Sequence, residues 1–205
     1  MIPPNSRLSL IFVKGLTPVV VGLLAGTLWL KADSNPPGSD NPLAGLNLDD
    51  SGTKAPVGFA DRITRHLVTL DGDQLKAFDS STLQGVKYWA FYYSASWCPD
   101  CRVFTPKLVA FYKTFKPQHP SFEVIFVNDD QSEDAMTAYM KTDGMAWPAV
   151  RFDDIGDSGA NKFAGKYIPD LVLLDENGKV LADSYDGSTY TGPDQVMQKI
   201  PQIVH

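Results

Sequence analysis

Two cysteines, Cys98 and Cys101, are the only ones in the 205 residues, and they stand within Trp97-Cys98-Pro99-Asp100-Cys101. With no third thiol in the chain, they react with each other or with a partner. On a helix this spacing puts both side chains on one face, with Cβ atoms roughly 5–6 Å apart, near the separation a disulfide needs. Such a pair passes between dithiol and disulfide with little backbone motion. Pro99 suits the first helical turn, where its missing N–H costs nothing, and the unpaired N–H groups of that turn favour negative charge on Cys98. A thiolate held there is a nucleophile near neutral pH. Other readings stand beside this one. A static bridge closing so short a loop would stabilise the fold only weakly. A closed zinc site would need two further ligands, and His66, His119 and His205 are the only histidines, none at ligand spacing. Paired thiolates also suit copper.

The surrounding pattern supplies elements to hold the pair. Tyr88-Trp89-Ala90-Phe91-Tyr92-Tyr93 is almost wholly apolar and reads as a central strand buried on both faces. It ends just before the cysteines, so a strand, a short loop and a helix opening on Cys98 place the reactive group at the carboxyl edge of a sheet. The helix is expected over Pro99–Phe115, with Val103, Leu108, Phe111 and Tyr112 on its inner side and a kink at Pro106. Leu67–Leu70 and Gln74–Phe78 read as a hairpin turning at Asp71-Gly72. Further strands are expected at Phe122–Val127 and Asp170–Leu174, the latter paired with Val180–Asp183 across Asn177-Gly178. Helices are expected at Glu133–Lys141 and from Pro193 to about Val204, the last interrupted near Pro201. No internal repeat and no phosphate-binding glycine motif is present.

Charge divides the chain. Residues 1–31 hold Arg7, Lys14 and Lys31 and no acid, leaving 15 basic against 24 acidic groups in the rest. So acidic a remainder, without a Lys/Arg cluster, argues against nucleic-acid binding. After the basic start, Leu16–Leu30 is uncharged and rich in Val, Leu, Gly and Ala. It matches a signal-peptide core and is shorter than the ~20 residues that span a bilayer. Extending it back to Leu8 reaches spanning length but includes Lys14. Residues 1–31 are therefore expected to be a signal peptide or a single-span membrane anchor, and either sends the rest out of the cytoplasm. Residues 32–60 are rich in Pro, Gly, Asp, Asn and Ser and read as a disordered linker. That leaves residues 61–205 as the folded domain.

The β-α-β-α-β-β-α order, with Cys-x-x-Cys at the first strand–helix junction, resembles the thioredoxin superfamily over about residues 65–204. Trp97 precedes the first cysteine, Pro106 follows the second by five positions, and Ile168-Pro169 leads into a hydrophobic strand, each as in that family. Tyr92-Tyr93-Ser94-Ala95-Ser96-Trp97-Cys98-Pro99, Phe104-Thr105-Pro106-Lys107-Leu108 and Trp147-Pro148-Ala149-Val150 are most similar to the tryparedoxin and nucleoredoxin group.

The resemblance implies an α/β three-layer sandwich: a central mixed β-sheet flanked by helices, here preceded by an N-terminal hydrophobic helix and a flexible linker. It implies that Cys98 attacks a disulfide and Cys101 resolves the mixed intermediate. Trp97, Pro99, Asp100, Ile168, a cis Pro169 and Asp170 are then the redox-tuning and substrate-facing residues. It further implies reduction of disulfides in exported proteins or small thiols, with no bound cofactor or metal. An external electron donor, a membrane-embedded one among the candidates, would recharge a monomer. A disulfide oxidase or isomerase, and a copper-binding chaperone, are the alternatives. Three positions depart from the family. Asp100 stands where a second proline is usual, Tyr92 where thioredoxins bury an aspartate, and Asp170 where threonine is common.

Overall fold

The computed structural model describes residues 58–205. Along the chain come α1 (Phe59–Thr64), β1 (Leu67–Asp71), β2 (Gln74–Ala77), β3 (Tyr88–Ser94), α2 (Pro99–Phe115), β4 (Phe122–Asn128) and α3 (Glu133–Asp143). There follow β5 (Ala149–Val150), α4 (Ile155–Ser158), β6 (Asp170–Asp175), β7 (Val180–Asp183), β8 (Tyr185–Asp186), β9 (Thr189–Tyr190) and α5 (Pro193–Ile203). The main sheet runs β2-β1-β5-β4-β3-β6-β7. It is mixed: β3 lies parallel to β4 and antiparallel to β6, and β1 is antiparallel to both its neighbours.

The aromatic and β-branched content of β3 fits a pleated central strand, and residues 89–94 are all buried. Alternation along β3 divides the interior. Ala90 and Tyr92 face a cluster that takes in Phe104 and Leu108 of α2, Met136 and Met140 of α3, and Val196 and Ile200 of α5. Trp89, Phe91 and Tyr93 face a second cluster with Ile63 of α1 and Ala160. Helices on the first face and α1 with the 155–163 segment on the second give the expected three layers. Burying each of the larger side chains contributes about 1.5–3 kcal/mol.

Several sequence expectations shift. The α2 helix spans Pro99–Phe115 as expected, but its buried residues are Cys101, Phe104, Thr105, Leu108, Val109 and Phe115. This is an i, i+3, i+4 stripe, and Val103 falls off it: expected inside, it is 65% exposed. The α5 helix was expected to break near Pro201, yet it runs through to Ile203. Pro201 is in the last turn and exposed, so its missing N–H costs the helix only the bond to the Met197 carbonyl and the chain continues to the helix end. Strand β5 and the β8–β9 hairpin were not anticipated; at two residues each they are too short to show a period. Helix α1 opens at Phe59, inside the stretch read as linker, because Phe59 packs against Trp89, Phe91 and Phe163. The hydrophobic segment expected at residues 1–31 lies outside the described residues, as does most of the expected linker. Among the described residues, no helix is long and apolar enough to cross a membrane.

Candidate active site

Strand β3 delivers the chain to the sheet edge, and the turn after it is fixed by one carboxylate. Asp130 Oδ1 accepts the Ser96 backbone N–H at 2.9 Å and the Ser96 hydroxyl at 2.7 Å. The Trp97 indole N–H donates to the Asp129 carbonyl at 3.1 Å, holding the ring beside Cys98 although it is 58% exposed. Cys98 then caps α2: its sulfur accepts the Cys101 backbone N–H at 3.2 Å. Pro99 sits at the start of the helix, and Asp100 is exposed in its first turn.

Cys98 and Cys101 are joined in a disulfide with Cα atoms 5.2 Å apart. Cys101 is fully buried and Cys98 nearly so. On reduction, the sulfur at the cap position receives both the Cys101 N–H and the positive end of a 17-residue helix, the setting that favours a thiolate. The inner sulfur has neither advantage. Asymmetry between the two is thus built into the helix start.

Opposite stands the Ile168–Pro169 bond, which is cis, with the Ile168 carbonyl oxygen 3.7 Å from Cys98 Sγ. Between the two walls lies a cleft of about 360 Å³ lined by Trp97, Cys98, Pro99, Gly165, Tyr167 and Ile168 among others. Tyr167 is 52% exposed, so the cleft is rimmed by two aromatic side chains open to water.

The cis-proline wall is tied down at several points. Tyr93 donates to the Ala160 carbonyl at 2.7 Å, Asp170 Oδ2 accepts the Gly165 N–H at 2.8 Å, and Tyr185 Oη accepts the Tyr167 N–H at 2.5 Å. Tyr190 donates to the Pro169 carbonyl at 2.6 Å. Asp170, expected on the substrate-facing surface, is instead fully buried beneath the loop. It opens β6 opposite Tyr93, on the face where the 160–168 segment covers the sheet. Burial pushes its carboxyl up to about 6. Burial, then the Asp170 charge, pushes the Tyr190 phenol up to about 12.

Tyr92, the departure from the position where thioredoxins bury an aspartate, joins a buried hydroxyl chain. Its Oη is 2.7 Å from Thr105 Oγ1, which is 2.5 Å from Tyr139 Oη, itself 2.9 Å from Ser94 Oγ. Thr105 also donates to the Cys101 carbonyl at 2.8 Å. Burial raises the Tyr92 phenol, so this chain carries hydroxyls and no charge next to α2.

The sequence-predicted residues Trp97, Cys98, Pro99 and Ile168 meet at one cleft, and Pro169 lies buried behind Ile168. Asp100 lies on another side of the helix start, lining a smaller cavity of about 230 Å³ with Val103, Pro169, Tyr190 and Asp194. Sequence reasoning missed Tyr93, Asp130, Tyr185 and Tyr190 as supports. Only their polar groups amid aromatic or loop segments distinguish them in the sequence. Among the described residues no cluster of three or more metal-ligating side chains occurs.

A family model described as thioredoxin-like matches residues 85–180. Nucleoredoxin from Bos taurus is 35% identical over 159 residues, covering 75% of this chain and 35% of the relative; the chain thus spans about a third of that protein. Tryparedoxin I from Leishmania major superposes with a TM-score of 0.50 at 29% identity, covering 70% of this chain and 90% of that one. A mutant tryparedoxin-I gives 0.50 at 31% identity, covering 66% and 87%.

Proposed function

The chain belongs to the thioredoxin superfamily, in its tryparedoxin and nucleoredoxin group, and on that premise we propose that it is a thiol-disulfide oxidoreductase acting as a protein-disulfide reductase. The observation that carries this is the Cys98 sulfur capping α2, bonded to a buried Cys101 and facing an open cleft. In the reduced protein the Cys98 thiolate attacks one sulfur of a substrate disulfide and expels the other as a thiolate. Cys101, deprotonated, then attacks Cys98 Sγ and releases the second substrate thiol. Two electrons have passed to the substrate, and the Cys98–Cys101 disulfide remains. An external dithiol or other two-electron donor must reduce it before the next turnover.

Direction is set by potential. A reductase lies near the thioredoxin value of about −270 mV, whereas a value near −120 mV marks a strong oxidant. Equilibration with glutathione at neutral pH, followed by thiol counting, is expected to place this couple toward the reducing end. A value at the oxidising end overturns the reductase assignment and favours the oxidase or isomerase alternative. A copper chaperone of this kind generally adds a distal histidine to the two thiolates, and no third metal-ligating side chain joins the pair among the described residues; titration of the reduced domain with Cu(I) tests that alternative.

The basic start and the uncharged Leu16–Leu30 run support an extracytoplasmic, tethered placement, from which the domain would serve exported proteins and could be recharged by a donor in the membrane. A phosphatase fused after residue 57 is expected to be active only outside the cytoplasm, which tests the placement.

A further inference from the structure

If the chain is a reductase, the departure at position 170 acquires a role. Asp170 is fully buried, its Oδ2 holds the Gly165 N–H, and its Oδ1 has no partner in the protein. Around it stand Tyr93 from β3, Asp183 at the end of β7 and Ser184 just after it, and Tyr190 from β9. The loop's own cation, Lys166, is exposed and lies 5.3 Å above the Tyr167 ring. Among the described residues no cation pairs with Asp170. Ionising such a group costs stability, and burial, with Asp183 adding, has pushed it up to about 6. A threonine here would carry no such cost. What the charge contributes is a charge-assisted bond to Gly165, three residues before the carbonyl that faces Cys98.

We propose that Asp170 is a positioning residue for protein disulfides: ionised, it holds the Gly165–Ile168 loop in the shape that pairs with an extended substrate backbone, and protonated, it lets that loop loosen. Stability is given up for substrate alignment. Small disulfides that reach Cys98 without pairing to the loop do not sense the change.

The test uses the full chain, wild type and Asp170→Asn, driven by dithiothreitol, with insulin and hydroxyethyl disulfide as substrates from pH 5 to 8. The amide still accepts the Gly165 N–H, without the charge. For insulin, the wild-type to variant ratio of kcat/KM is expected to rise from near unity at low pH to about fivefold above neutrality. For hydroxyethyl disulfide it stays near unity throughout. The variant is expected to melt higher at neutral pH while reducing insulin more slowly, a combination that a merely structural anchor would not give. Asp170→Thr, as a second variant, is expected to behave the same way. A flat insulin ratio, or parallel changes with both substrates, overturns the positioning role while leaving the reductase intact. A wild type that reduces neither disulfide overturns the reductase reading, and this role with it.

Discussion

The wall that carries Cys98 and the wall that carries Pro169 face each other across one cleft, yet they are held by different means. On the cysteine side, residues 94–101 lie next to one another in sequence and are fixed by a strand end, a helix start and two bonds to Asp130. On the proline side, the segment of residues 160–169 is held by Tyr93, Asp170, Tyr185 and Tyr190, drawn from four strands. On the proposed function, chemistry sits on the first wall and alignment on the second. Substitutions on the cysteine side should therefore abolish exchange, and those on the proline side should weaken it selectively.

The largest effect is expected at Cys98. Cys98→Ser removes the sulfur that lines the cleft and leaves only the fully buried Cys101, and insulin reduction should fall to background. Cys101→Ser should instead retain the first step and accumulate mixed disulfides with substrate, visible as adducts that reductant removes. If Cys98→Ser retains turnover and Cys101→Ser forms no adduct, the assignment of attacking and resolving roles is wrong.

Next comes Gly165→Ala. A Cβ there would run into the Tyr185 ring, and moving that ring breaks its bond to the Tyr167 N–H. Loss of this packing and bond is expected to lower kcat/KM for insulin about tenfold while stability falls by about 1–2 kcal/mol. The Tyr190→Phe change removes only the hydroxyl on the Pro169 carbonyl, at about 1 kcal/mol, or near fivefold. Equal losses for insulin and hydroxyethyl disulfide in both variants would erase the distinction between the walls.

The two walls also differ in what the sequence discloses. Cys98, Pro99 and Trp97 were legible because the chemistry and the helix start share one short segment. The strand at Tyr88–Ser94 was legible because burial on both faces forces a continuous apolar run. Ile168 and Pro169 were found through family resemblance, since nothing local marks a cis bond. Asp170 reads from the sequence as a departure in the substrate-facing loop; a lone acid opening a hydrophobic strand does not reveal that a neighbouring segment will cover it. Tyr185 and Tyr190 stood in a segment with no period to read, and their partners are backbone groups that no side-chain pattern records. Val103 differs for a simpler reason: apolar type alone suggests an inward direction, whereas the 100° advance per residue carries it off the stripe containing Cys101, Phe104 and Leu108.

The stability of the proline wall should itself respond to pH. Because burial raises Asp170 to about 6 from an ordinary 3.8, the folded state binds its proton more tightly than the unfolded chain does. Its contribution is fully present below about pH 4 and is lost as pH rises through about 6, at a cost of about 1–3 kcal/mol. Denaturant melts of wild type and Asp170→Asn should diverge over that window, the variant becoming the more stable. Curves that remain parallel would mean the carboxylate is compensated by something other than the groups around it.

The smallest effect is expected at Asp100, on the chemical wall but outside the cleft. An exposed carboxylate two residues from a thiolate repels it by roughly 0.5–1 kcal/mol before screening, and salt reduces that further. Asp100→Asn should therefore speed iodoacetamide alkylation of reduced Cys98 near neutral pH by about twofold at low salt, with the gain shrinking at high salt. The cap bond from Cys101 N–H and the helix start remain in the variant and dominate the sulfur's electrostatics. A tenfold change would mean that Asp100 governs the thiolate, and that its place where relatives carry proline sets the redox poise directly.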